Sequence, residues 1–187
     1  AWQQGLAGLA FAHGIPGTLG GGVVMNAGAY GGELKDVIAD VTALYPDGVR
    51  TLTADEMGFS YRHSVVSSGE GIVLGAKLKL EPGDPNAIKA KMDELMARRK
   101  ASQPLEFPSA GSTFKRPPGH YAGPLIESCG LKGARIGGAE VSCKHAGFVV
   151  NAGGATCADV LALMKKVQKT VFDTYGVLLE PEVKIVR

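Results

Sequence analysis

The segment from Gly14 to Gly32, GIPGTLGGGVVMNAGAYGG, constrains this chain more than any other. Glycine at such density opens backbone conformations with positive φ and lets main-chain N–H groups come close to another surface. Composition alone leaves two readings open, a tight loop packed against a core or a cradle for a ligand. Two familiar nucleotide loops are set aside. The segment contains no GxxxxGK[ST] pattern, and the chain passes from Ala1-Trp2-Gln3-Gln4-Gly5 into the glycines without the clear strand that a dinucleotide-binding turn requires.

The remainder alternates short strands with amphipathic helices, an α+β pattern. Asp36 to Tyr45 is rich in β-branched residues, Pro46-Asp47-Gly48 marks a turn, and Val49 to Thr53 resumes the pattern, which predicts a hairpin. A third strand is expected over Gly71 to Leu80. Asp84-Pro85 supplies an N-cap and an N1 proline for a helix whose face is Ile88, Met92, Leu95 and Met96 and whose end is Arg98-Arg99-Lys100. Gln103 to Pro118 reads as a linker followed by a functional loop. The domain boundary is placed near Pro104, giving domains 1–103 and 104–187. Beyond it, a short helix over Ala122 to Cys129 and short strands near Ala134 to Val141 and Gly147 to Asn151 are expected. A second long helix follows, with Thr156 and Asp159 as its capping pair, Val160, Met164, Val167 and Val171 on one face, and Gly176 at C′. Val177 to Val186 reads as a final strand.

With 187 residues, 45% hydrophobic and 20% charged, the chain can bury a real core. Its formal charge of +2 and the absence of long Lys or Arg runs argue against nucleic-acid and membrane surfaces as partners. Cys129, Cys143 and Cys157 lack CxxC spacing and read as free thiols. His13, His63, His120 and His145 are scattered, so no metal is expected. No apolar stretch approaches the roughly 20 residues of a membrane span. Nothing resembles a signal peptide, and the cytoplasm is the expected location.

Three segments carry chemically versatile residues. In Gly58-Phe59-Ser60-Tyr61-Arg62-His63-Ser64, Arg62 either solvates a loop or offers a planar donor to a carboxylate or phosphate. In Pro108-Ser109-Ala110-Gly111-Ser112-Thr113-Phe114-Lys115-Arg116-Pro117, small neighbours leave the Ser112 hydroxyl accessible, but no GxSxG frame supports a nucleophile elbow. In Leu179-Glu180-Pro181-Glu182-Val183, alternation with apolar residues lets one carboxylate point inward, where burial needs a cation or hydrogen bonds to offset it.

Taken in order, GIPGTLGGGVVMNAGAYGGE, FSYRHS, PSAGSTFKRP, AGPLIESCGLKGARIGGAEVSCKHAGFVVNAGGAT and YGVLLEPEV resemble the UDP-N-acetylenolpyruvoylglucosamine reductase family, in its shorter form. That resemblance implies FAD as cofactor, NADPH as co-substrate, and reduction of UDP-N-acetylglucosamine enolpyruvate to UDP-N-acetylmuramate for peptidoglycan. It implies Ser112 as the proton donor to the substrate carbon, with Arg62 and Glu182 stabilising the enolate-like charge. FAD contacts are implied at Ile15, Pro16, Gly17, Thr18, Gly20, Asn26, Ala27, Gly28 and Ala29. Arg99, Lys115 and Arg116 are the expected cations for the UDP moiety. Arg116 stands where other members often carry Asn.

The resemblance further implies part of a two-lobed FAD-binding domain over 1–103, with the family's N-terminal FAD-binding subdomain missing. A small α+β substrate-binding domain with a C-terminal catalytic strand is implied over 104–187. Half a flavin cradle is expected to hold FAD poorly, because the ordering cost remains while contacts are lost. A non-catalytic fragment or UDP-sugar-binding module is therefore one alternative, and a related flavoprotein with another substrate is a second. Apolar surface is expected where a missing subdomain would pack. The full-length protein is expected to be a monomer.

Overall fold

A computed structural model describes residues 1–185 and divides the chain into two compact units, Ala1–Arg99 and Lys100–Arg187. The division falls just ahead of the Pro104 boundary expected from sequence, and each unit mixes helix with strand.

The first unit is organised around an antiparallel sheet in which β4 (Ile38–Tyr45) lies between β5 (Gly48–Thr53) and β6 (Ile72–Leu78). Tyr45 pairs with Gly48, so Pro46 and Asp47 form the two-residue loop of the expected hairpin. Val41 and Ala43 of β4 are fully buried and join Phe11, Val23, Leu34 and Met57 in the core. The opposite face presents Leu44, paired with Val49 and Ile72, and all three are exposed.

Four short elements complete the unit's early part: β1 (Leu6–Ala7), α1 (Leu19–Val24), β2 (Gly28–Ala29) and β3 (Gly32–Glu33). β1 pairs with β7 (Glu81–Pro82), and the Gly83 N–H donates to Gly5 O at 2.8 Å. A strand does therefore come before the glycines, but only two residues long, and its partner is distant in sequence.

The helix α1 was not expected, because three of its residues, Gly20, Gly21 and Gly22, disfavour helix. Thr18 caps it, accepting from Gly21 N at 3.1 Å, and α1 lies against β6. Contact with the rest of the unit, rather than propensity, holds so short a helix. β2 and β3 form a tight hairpin in which a Cβ on Gly32 would stand 2.7 Å from the Phe11 ring. Only glycine allows that approach.

α2 (Pro85–Ser102) begins as expected. Asp84 accepts from Asn86 N at 3.1 Å and from Ala87 N at 3.2 Å, and the helix continues past Lys100.

In the second unit, four antiparallel strands lie in the order β8 (Ser109–Ser112), β11 (Phe148–Asn151), β10 (Ala139–Val141), β9 (Arg135–Ile136). The strand β8 replaces part of the expected loop. Ser-Ala-Gly-Ser has little strand propensity, so its pairing to β11 makes the strand. α3 (Ala122–Ser128) and α4 (Cys157–Tyr175) pack with the sheet around Ile126, Val141, Leu163, Val167 and Val171. Thr156 and Asp159 form the expected capping box, and Gly176 ends α4 at φ 66.

The expected terminal strand over Val177 to Val186 does not form among the described residues, and Val186 lies outside them. The segment makes a single isolated bridge, Phe114 to Pro181. The two main-chain bonds of this bridge, Lys115 N to Glu180 O and Glu182 N to Thr113 O, flank Pro181, so its missing N–H costs the bridge nothing.

Leu163→Ala is expected to lower unfolding stability by about 3 kcal/mol, because a fully buried side chain is removed. Phe172→Ala, on the exposed side of the same helix, should change it by less than about 0.5 kcal/mol. Urea titrations of both variants check this, and equal losses would contradict the placement of the core.

Candidate functional site

The motifs marked in the sequence fall in loops, turns and short elements. In the first unit the glycine-rich segment and the Ser60–His63 turn are joined by side-chain hydrogen bonds. Asn26 is completely buried, with φ 43, and its Nδ2 donates to Glu33 Oε2 and to Ser60 O, both at 3.0 Å. Its Oδ1 accepts from Lys35 N at 2.9 Å. Both amide hydrogens are engaged, so any ligand contact at this residue would run through its main chain. Nearby, the buried Ser64 donates its hydroxyl to Val24 O at 2.8 Å.

Arg62 sits at φ 55 in a tight turn closed by reciprocal main-chain bonds between Ser60 and His63, at 3.1 and 3.2 Å. Its guanidinium donates to Gly28 O at 3.2 Å and lies 4.9 Å from the Tyr61 ring centroid. The Glu33 carboxyl is held below its ordinary value chiefly by its hydrogen bond to Lys35, with smaller help from Asn26 and Arg62.

Residues Pro16 to Leu19 form an exposed strap. Gly17, at φ 121, and Gly31, at φ 87, have nothing within 4 Å of where a Cβ would stand. A flat ring or a pyrophosphate can reach the main chain there without meeting a side chain, so these residues fit one flank of a flavin nucleotide. Ile15, Thr18 and Gly20 belong to the same stretch, and Ala27, Gly28 and Ala29 lead into the β2–β3 hairpin. Arg99 is buried, with its guanidinium 5.4 Å from the Tyr30 ring centroid. The Met96 methyl occupies the space left by the missing Cβ of Gly14, and Arg99 Cδ and Nε lie 3.3 Å from that position.

In the second unit, the backbone segments that carry Ser112 and Glu182 run side by side. Ser112 ends β8, exposed, and pairs with Phe148. The next residue, Thr113, is buried; its N–H donates to Gly147 O at 2.8 Å and its Oγ1 accepts from Val149 N at 3.0 Å. Thr113 O in turn accepts from Glu182 N at 2.9 Å, which fixes the backbone of Glu182 beside Ser112. Lys115 N donates to Glu180 O at 2.8 Å, and the Lys115 ammonium pairs with the Glu180 carboxylate. Arg116 is exposed and stacks 4.3 Å from the Tyr121 ring centroid. On α4, Gln168 Nε2 donates to Leu179 O at 2.8 Å, anchoring the segment that leads to Glu182.

Two contributors were missed in the sequence. Thr113 and Glu33 were legible only as members of motifs.

The family profile of "UDP-N-acetylenolpyruvoylglucosamine reductase, C-terminal domain" matches residues 103–186. A UDP-N-acetylenolpyruvoylglucosamine reductase of Agathobacter rectalis is 57% identical over 187 residues, covering 100% of this chain and 60% of that protein. The protein of the same name from Caldanaerobacter subterraneus subsp. tengcongensis is 58% identical over 182 residues, 97% of this chain and 60% of its own length. The crystal structure of the reductase from Thermus caldophilus superposes with a TM-score of 0.89 at 38% identity, covering 100% of this chain and 67% of that one. The chain belongs to the UDP-N-acetylenolpyruvoylglucosamine reductase family. It spans about 60% of the length of the curated reductases it matches.

Within this reductase fold, His145 supports the Ser112 strand end indirectly. Its Nδ1 accepts from Gly147 N at 3.0 Å, and Gly147 O is the acceptor for Thr113 N. The ring lies edge-on to Phe148, 5.0 Å between centroids. Burial pushes the imidazole below its ordinary 6.5. A depressed histidine contributes stability that is fully present above the unfolded value and is lost as pH falls through the folded one. Thermal unfolding midpoints should therefore drop below about pH 6.5, more steeply than in His145→Gln. Identical pH slopes in the two proteins would contradict this account.

Proposed function

We propose that this protein reduces the enolpyruvyl group of UDP-N-acetylglucosamine enolpyruvate to give UDP-N-acetylmuramate in peptidoglycan synthesis, with FAD as cofactor and NADPH as reductant. The observation that carries this reading is the likeness, along the whole chain, to a solved reductase at 38% identity and TM-score 0.89. A nucleotide-sugar substrate and three free thiols, Cys129, Cys143 and Cys157, fit a cytoplasmic protein. Among the described residues, no helix is long and apolar enough to cross a membrane.

The strap of Ile15, Pro16, Gly17, Thr18 and Gly20, with the main chain of Asn26, Ala27, Gly28 and Ala29, would hold the cofactor. When bound, FAD supplies the hydride for the enolpyruvyl double bond. The protein's own residues manage the charge and the proton. As negative charge grows beside the substrate carboxylate, Arg62 offers a fixed planar cation and Glu182 a hydrogen-bonding carboxyl group. Ser112 holds a proton on an exposed Oγ. A serine hydroxyl is a weak acid, but a carbanionic carbon is a strong base, so placement suffices. Arg99, Lys115 and Arg116 are the candidate cations for the diphosphate.

Ser112→Ala in the full-length protein tests this. Flavin reduction by NADPH should proceed at its usual rate, while reoxidation by the enolpyruvyl substrate slows by on the order of a hundredfold or more. Stopped-flow absorbance follows both half-reactions, and equal damage to the two would defeat the assignment of Ser112.

A further inference from the structure

The turn that presents Arg62 needs outside support. A non-glycine residue at φ 55 is strained by roughly 1 kcal/mol, and such a conformation persists only where its surroundings over-determine it. Tyr61 and Arg62 are the central residues of a loop closed by two main-chain bonds, Ser60 N to His63 O and His63 N to Ser60 O. The Ser60 carbonyl carries a third bond, from Asn26 Nδ2 at 3.0 Å. The amide that grips the base of the turn is itself gripped. Its other hydrogen goes to Glu33 Oε2 at 3.0 Å, and its oxygen accepts from Lys35 N at 2.9 Å.

The same elements also hold the far end of the Arg62 side chain. Its guanidinium donates to Gly28 O, and Gly28 is the residue paired with Glu33 across the β2–β3 hairpin. Glu33 thus touches the arrangement at both ends: its carboxylate orients the Asn26 amide, and its main chain sets the strand that carries the acceptor for Arg62. Lys35 pairs with that carboxylate at 2.8 Å and keeps it ionised.

We propose that Asn26 and Glu33 are positioning residues for Arg62, fixing the turn and the direction of its guanidinium instead of contacting cofactor or substrate through their side chains. The inference rests on the reading above, in which Arg62 meets the charge that develops beside the substrate carboxylate.

The test is a double-mutant cycle in the full-length reductase, with NADPH and UDP-N-acetylglucosamine enolpyruvate as the two reactants. Glu33→Ala removes the acceptor that orients the Asn26 amide, and Asn26→Ala removes the grip on Ser60. Each should slow reoxidation of reduced flavin by substrate by about tenfold or more, as a misaligned group does, and in Glu33→Ala reduction by NADPH and the bound-flavin spectrum should stay unchanged. In an Arg62→Ala background both effects should vanish, because residues acting through one partner are not additive. Full additivity with Arg62→Ala, equal losses in both half-reactions of Glu33→Ala, or no loss in either variant would overturn the inference. If Arg62→Ala alone leaves reoxidation unchanged, the role proposed for Arg62 fails instead. Should Asn26→Ala not fold, Glu33→Ala decides alone, since Glu33 lies partly exposed.

Discussion

The side-chain amide of Asn26 makes three hydrogen bonds out of contact with solvent, to Glu33, to Ser60 and to the main chain of Lys35. Leaving such a group without partners costs about 1–3 kcal/mol, so its burial is tolerable only with the loops closed around it. The amide therefore couples parts of the chain distant in sequence. The glycine-rich segment cannot shift without breaking the bond to Ser60, and the Arg62 turn cannot relax without uncovering Asn26. Glycine at position 32 serves the same end by steric means, letting β3 lie against the Phe11 ring.

The second unit reaches comparable order by a different route. Among the described residues no extended strand secures the segment around Glu182; one bridge, its two flanking main-chain bonds, the Gln168 side chain and the Lys115–Glu180 ion pair help to hold it. Leu179, fully buried among the α3 and α4 side chains, anchors it against the core. Two polar side chains, Thr113 and Gln168, take up main-chain hydrogen-bonding capacity that a regular sheet would otherwise satisfy.

The elements legible in the sequence are those with strong local signals. Pro46-Asp47 marks the β4–β5 turn, Asp84-Pro85 opens α2, and Thr156 with Asp159 opens α4, because each residue acts on backbone within a turn of itself. The elements that were missed depend on partners far along the chain. α1 forms from glycines because it lies on β6, β8 forms from small residues because β11 is beside it, and among the described residues the expected final strand is reduced to the Phe114–Pro181 bridge. The candidate site shows the same divide. Arg62, Ser112 and Glu182 stand out in ordered motifs, whereas nothing in the sequence reveals that the Asn26 amide is fully engaged or that the Arg99 side chain is buried beside Tyr30.

Exposure of the chemically versatile groups follows from what is buried next to them. Ser112 stands exposed beside the buried Thr113, and Thr113 is kept inward by its bonds to Gly147 and Val149. The Arg62 turn obeys the same logic: buried Ser64 fixes one flank through Val24 O, Asn26 fixes the other through Ser60 O, and the residues between them are forced to the surface. In both units a buried polar residue beside the motif decides where the reactive side chain stands. Substitutions at these buried neighbours therefore act on the same chemistry as substitutions of the motif residues themselves.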